Sequence, residues 1–144
     1  MDFVKKLKWF VEQNIDRWTL CHIDANLDNF LYDQNKKLYL IDWEYAAMQD
    51  PDLDIAMMAI YSLFDKKKID SLINMYYKDG CSINRRYKIY AYVAIGGLLW
   101  SNWCEYKEQL NLNFGEYSIA QYRYAKTYSQ LVLNFLDEAK NGRS

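Results

Sequence analysis

Residues 20–45 read LCHIDANLDNFLYDQNKKLYLIDWEY. Two short apolar runs, Phe30–Tyr32 and Leu38–Ile41, flank a polar segment, Asp33–Lys37. Apolar runs of strand length on either side of a polar turn predict a β-hairpin. A carboxylate-rich loop precedes the first run, and an acidic tripeptide, Asp42 to Glu44, follows the second. A hairpin brings its outer ends together, so Asp24 and Asn29 are expected close to Asp42. Two carboxylates and an amide at one end of a hairpin, beside His22, the only histidine, point to a site for a hard cation, which prefers oxygen donors.

His22, Asp24 and Asn29 form the pattern H-x-D-x-x-x-x-N, and the second apolar run ends in Ile41-Asp42-Trp43-Glu44. The pair of motifs resembles the catalytic loop and the metal-holding segment of kinase-like phosphotransferases. The second motif runs Ile-Asp-aromatic-acidic where protein kinases have Asp-Phe-Gly, which is similar to the aminoglycoside-phosphotransferase and choline-kinase branch. The chain resembles the bacterial choline/ethanolamine kinase family in particular, over about Thr19 to Tyr128.

That resemblance implies a mainly α, α+β fold: a protein-kinase-like C-terminal lobe of about five helices plus a β-hairpin carrying the catalytic loop. It implies that Asp24 is the catalytic base and that Asn29 and Asp42 hold Mg²⁺, with ATP as co-substrate. His22 belongs to the catalytic loop, where its expected part is to pack and hydrogen-bond so that the loop is held. Asp54 is expected to hydrogen-bond back to the loop's backbone while also starting a helix. Glu44 stays open between metal support, an acceptor contact and a plain ion pair.

Outward from this stretch the pattern is helical. Phe3, Leu7, Phe10, Val11 and Ile15 make an amphipathic stripe, as a helix over residues 2–15 requires. Thr19–His22 reads as a short extended entry to the loop, and Ala46–Pro51 as a turn. Asp52 and Asp54 are cap candidates before the apolar run Ile55 to Leu63, a helix apolar enough to be buried. Asp65 is a second cap candidate, and Asp79-Gly80 is the expected stop for the helix that follows it. A long helix is predicted from Asn84 to about Leu110, with Gly96-Gly97 permitting close packing or a kink. Asn111–Gly115 reads as a loop before a last amphipathic helix, and the tail Lys140–Ser144 as frayed.

The long helix carries Trp100 and Trp103, neighbours on one face at spacing i, i+3. Choline kinases resemble this chain in Trp-x-x-Trp, then Phe-Gly, then Ala-Gln-x-Arg. Here these are Trp100 to Trp103, Phe114-Gly115, and Ala120-Gln121-Tyr122-Arg123. The resemblance implies an acceptor pocket of Trp100 and Trp103 with Tyr61, Phe114 and Tyr117. Aromatic faces attract a quaternary ammonium, so choline or a similar small amino alcohol is the implied substrate. Two positions depart from the eukaryotic enzymes: Tyr61 stands where they have an acid, and Ile119 where they have a pocket tyrosine.

The 144 residues suffice for one domain with a real core, and the formal net charge of −1 makes no case for nucleic acid. No apolar run reaches the length of a membrane span, and the N-terminal residues do not read as a signal peptide. Cys21, Cys81 and Cys104 lie far apart, form no zinc pattern, and fit reduced thiols in a cytoplasmic protein. Only 21 residues precede His22, without a strand–Gly-rich–strand pattern. The expectation is therefore a single domain, 1–144, that lacks the ATP-clamping N-terminal lobe and is inactive alone. Two other readings stand beside it. One is an aminoglycoside or other small-hydroxyl kinase of the same branch. The other is a non-catalytic module that binds a cationic ligand.

Overall fold

The computed structural model describes residues 3–142. Helix α1, Phe3–Glu12, ends before the expected residue 15 and buries Leu7, Phe10 and Val11 of the expected stripe; Ile15 lies beyond its end. Strand β1, Thr19–Cys21, leads into the loop that carries His22, Asp24 and Asn29. A single 3₁₀ turn, Leu27–Asn29, is capped by Asn26, whose side chain accepts the Asp28 amide. Strands β2, Phe30–Tyr32, and β3, Leu38–Leu40, form the expected antiparallel hairpin, with Phe30 opposite Leu40. The Asp33 carboxylate shapes the connecting turn by accepting the amides of Asn35 and Lys37.

The segment read as a plain turn contains a strand. β4, Ala47–Gln49, pairs antiparallel with β1, setting Cys21 opposite Ala47. Its partner strand lies far back along the chain, with Thr19 opposite Gln49 and Leu20 opposite Met48. Three residues cannot display an alternating pattern, so nothing local announces the strand. The β1–β4 pair closes the loop-and-hairpin segment at its base.

Helix α2, Asp52–Tyr61, is preceded by Pro51, which holds the cap position without a side-chain bond. Asp52 and Asp54 are not its caps: they lie in the first helical turn, where the helix dipole favours acids. Asp65 does cap α3, Lys66–Tyr76, accepting the Lys68 amide at 2.8 Å. That helix stops at Tyr76, before Asp79-Gly80; Gly80 takes a positive φ of 105° in the turn beyond.

Helices α4, Ile83–Glu108, and α5, Glu116–Asn141, are the longest elements, and run antiparallel. Ring pairs along them show the register: Trp103 with Phe114, Tyr90 with Tyr128, Tyr87 stacked on Phe135. Gly97 explains the close approach. A Cβ there would lie 2.7 Å from the Gln121 carbonyl and 2.8 Å from Tyr124 Cβ. A glycine inside a helix costs about 1 kcal/mol relative to alanine, which the tight α4–α5 contact offsets. The core lies among α1, α2, α3, α4 and α5, centred on Ile60, Ile69, Ile73, Ile89, Val93 and Val132. Of the tail read as frayed, α5 runs through to Asn141, and Arg143 and Ser144 lie outside the described residues. No helix among the described residues is long and apolar enough to cross a membrane.

Candidate active site

The loop after β1 is held by one carboxylate. Asp54, in the first turn of α2, accepts the His22 amide at 2.9 Å and the Ile23 amide at 2.7 Å, one with each oxygen. Ile23 sits at φ 69°, a region that β-branched residues avoid. The two hydrogen bonds over-determine this conformation and turn the chain so that Asp24 follows on the open side.

Asp24 is half-buried and held by amides. Asn29 Nδ2 donates to the Asp24 carbonyl at 2.8 Å and to its Oδ2 at 3.3 Å, and Asn26 Nδ2 reaches its Oδ1 at 3.4 Å. Because its nitrogen is committed to Asp24, the Asn29 amide turns its oxygen the other way. The Asn29 carbonyl accepts the Ile41 amide at 2.9 Å, which brings Asp42 beside this loop. Asp42 has φ 62° and is exposed. The hairpin thus assembles Asp24, Asn29 and Asp42 at one end.

His22 is buried at 2% exposure. Its Nε2 donates to the Ile41 carbonyl at 2.7 Å, and its ring packs edge-on to Trp43, centroids 4.8 Å apart. It joins the two motifs from beneath and is closed off from solvent. Trp43 is fixed in turn by a 2.8 Å bond from Nε1 to the Leu40 carbonyl. Glu44 is exposed, and no hydrogen bond or ion pair among the described residues involves it.

An aromatic wall extends from Asp24. Tyr61 and Trp100 meet at 5.4 Å, Trp100 and Trp103 at 5.1 Å, Trp103 and Phe114 at 5.2 Å. Burial, and then the charge of Asp24 and a hydrogen bond to it, push the Tyr61 hydroxyl well above its ordinary range; Tyr117 adds to the effect. Tyr61 is therefore the link between the carboxylate and the wall, with Tyr117 alongside. Burial also raises the Tyr117 hydroxyl. Of the five aromatic candidates Tyr61 is the one placed against Asp24; Trp100, Trp103 and Phe114 follow from it ring by ring, and Tyr117 lies beside Tyr61.

Two contributors were missed from sequence. Lys107 Nζ lies over the Trp103 ring, 5.4 Å from its centroid, so part of that ring already faces a cation. Its spacing i, i+4 from Trp103 was the available signal. The second is an ionic cluster behind Asp54, described below. It was missed because a lysine inside an apolar helical run gives no sign of its partners.

No group of three or more His, Cys, Asp or Glu suited to a metal exists among the described residues. The oxygens of Asn29 and Asp42 nonetheless fit the chemistry of Mg²⁺, which takes one or two protein oxygens and fills its remaining positions with water and phosphate.

The profile of the phosphotransferase enzyme family matches residues 5–90. The chain belongs to that family. The match takes in Asp24, Asn29, Asp42, Asp54 and Tyr61, and ends before Trp100 and Trp103. This phosphotransferase-family chain is 34% identical over 107 residues to Protein LicA of Haemophilus influenzae, covering 69% of this chain and 39% of LicA. It is similar in structure to choline kinase LicA of Streptococcus pneumoniae, with TM-score 0.69, 32% identity, and coverage of 89% of this chain and 45% of that one. A structure of LicA in complex with AMP matches with TM-score 0.70 and 30% identity, over 90% of this chain and 45% of that one. The phosphotransferase-family chain thus spans less than half the length of these relatives. Over the matched part its fold is theirs, and in this chain it is mainly α, with five helices and a hairpin that follows the loop.

Proposed function

We propose that the chain is the catalytic and acceptor-binding lobe of a small-molecule kinase. The kinase transfers the γ-phosphoryl group of ATP to the hydroxyl of choline or a related amino alcohol. The observation that carries this reading is the placement of Asp24. It stands between the Asn29–Asp42 end of the hairpin and the Tyr61–Trp100–Trp103 wall. The likeness to choline kinase LicA, and the AMP complex of LicA, support the acceptor and the nucleotide.

In this reading the acceptor's ammonium group lies against the aromatic wall and its hydroxyl points at Asp24. Asp24 takes the hydroxyl proton as that oxygen bonds to the γ-phosphorus and the bond to the bridging oxygen of ADP breaks. Phosphoryl transfer needs positioning and charge neutralisation more than covalent chemistry. Asn29 and Asp42 would hold Mg²⁺, which when bound offsets the phosphate charge. Asp54 and His22 are positioning residues: one fixes the loop's amides, the other ties the loop to Ile41. Glu44 stands beside Asp42 in sequence and is assigned no part in the transfer.

The phosphate-covering loop and its lysine have no counterpart before His22, so the reading assigns them to an N-terminal lobe outside residues 1–144. It also places the protein in the cytoplasm, where free cysteines stay reduced and ATP is available. An aromatic wall favours choline over an aminoglycoside, whose several ammonium groups call for acids. The test is ADP formation by an enzyme of the relatives' full length, offered choline, ethanolamine or an aminoglycoside. Turnover with choline supports the reading. Turnover with the aminoglycoside alone overturns the acceptor, and turnover with none overturns the activity.

A further inference from the structure

Behind Asp54 lies an ionic cluster with no access to solvent. Lys88, on α4, is 0% exposed, Asp50 1% and Asp52 0%. Lys88 Nζ stands 2.6 Å from Asp50 Oδ2 and 2.9 Å from Asp52 Oδ2, and it donates to the Asn14 carbonyl at 3.0 Å. An ammonium has three N–H donors, and three oxygens surround it. The carboxylates are fixed from their other sides too. Tyr92 donates to Asp50 Oδ2 at 3.2 Å, Tyr77 donates to Asp52 Oδ1, and Asp50 Oδ1 accepts the Asp52 amide at 3.1 Å. Arg85 Nε, 3.8 Å from Asp52 Oδ2, brings a second cation to the two acids.

Replacing a buried ion pair by well-packed apolar groups is often neutral or stabilising, so stability alone does not account for this cluster. What it adds is direction. Asp50, Asp52 and Asp54 belong to one turn, closed by the Leu53 amide on the Asp50 carbonyl at 3.0 Å and the Asp54 amide on the Pro51 carbonyl at 3.2 Å. Rotation of that turn would pull the Asp54 oxygens from the His22 and Ile23 amides. We infer that Lys88 is a positioning residue for the catalytic loop: its ammonium clamps the Asp50–Asp54 turn, and the turn carries the clamp through Asp54 to Asp24.

The effect on turnover rests on the kinase reading; the clamp itself does not. Native-state hydrogen exchange on the unmodified chain tests the clamp. The His22 and Ile23 amides should exchange only in the opening that also releases the amides of α4 around Lys88. Fast exchange at His22 and Ile23 with α4 still protected overturns the inference. The catalytic arm uses an enzyme of the relatives' full length carrying Lys88→Met, Asp54→Asn, or both. Lys88→Met should lower kcat by about 10²-fold, as a small misplacement of catalytic groups does, with the nucleotide KM within about twofold. Because Lys88 acts through Asp54, the double variant should be no worse than the worse single one; losses that multiply overturn the inference. If Lys88→Met fails to fold, Lys88→Met with Asp50→Asn and Asp52→Asn removes the cation and both buried charges together. That variant should fold and still lose protection at His22 and Ile23; full protection there overturns the clamp. Absence of turnover in the unmodified enzyme sinks the kinase reading and leaves the exchange result to decide the clamp.

Discussion

Asp54 Oδ1 accepts the Ile23 amide at 2.7 Å while Ile23 holds a left-handed backbone at φ 69°. For a non-glycine residue this backbone costs on the order of 1–2 kcal/mol. A hydrogen bond to a charged group contributes roughly 1.5–3 kcal/mol, so the carboxylate offsets the strain and leaves a margin. The strained loop is thus a product of the helix behind it.

Asp54→Ala should therefore lower stability by roughly 2–4 kcal/mol once the strain at Ile23 relaxes. Urea unfolding of the chain checks this. A midpoint unchanged from the native protein would mean that the loop holds its shape without Asp54.

Asp24→Ala, in an enzyme of the relatives' full length, should lose about 10²–10⁴ in turnover, the usual contribution of a general base. Its unfolding midpoint should hardly move, since the Asp24 carboxylate accepts no backbone amide, only the side chains of Asn26, Asn29 and Tyr61. An active variant would remove Asp24 from the chemistry.

Asp42→Asn in the same enzyme should raise the Mg²⁺ concentration needed for half-maximal rate. The amide keeps an oxygen donor but loses the charge that opposes the cation. A titration of rate against Mg²⁺ decides it, and an unchanged curve means the metal is held elsewhere.

Trp100→Ala should raise the KM for choline far more than that for ATP. Loss of one cation–π contact of about 1–2 kcal/mol corresponds to roughly 5- to 30-fold in affinity. Trp103→Ala should do less, because Lys107 already lies over that ring. An equal loss for an uncharged alcohol would point to general damage to the pocket.

Burial, aided by the charge of Asp54, raises the Cys21 thiol from its ordinary 9.0 to about 11. The folded state therefore keeps its proton longer than the unfolded chain. The resulting stability is fully present below pH 9.0 and is lost as pH rises through about 11. Cys21→Ser should fall less steeply in stability across that window than the native protein, a difference of roughly 2–3 kcal/mol at its alkaline end. Chemical denaturation at stepped pH reads it. Parallel curves would show that other groups, such as the buried tyrosines, account for the whole alkaline loss.

The sequence by itself determined what is local. Apolar runs around Asp33–Lys37 specified the hairpin, the i, i+3 spacing put Trp100 and Trp103 on one face, and Asp65 announced its helix. These signals need only neighbours along the chain, because hydrogen bonding and periodicity over a few residues create them. Motif spacing also marked Asp24, Asn29 and Asp42, since a hairpin fixes which ends meet. The tertiary structure alone decided the rest. Strand β4 exists because β1 lies beside it, and three residues carry no pattern of their own. Pro51 rather than an acid precedes α2, since Asp50, Asp52 and Asp54 are turned toward partners far along the chain. Lys88 is buried because two carboxylates and the Asn14 carbonyl, all from outside its helix, surround its charge, while Tyr77 and Tyr92 fix the carboxylates. A charge tolerates burial only when its partners are in place, and those partners meet only when the helices pack.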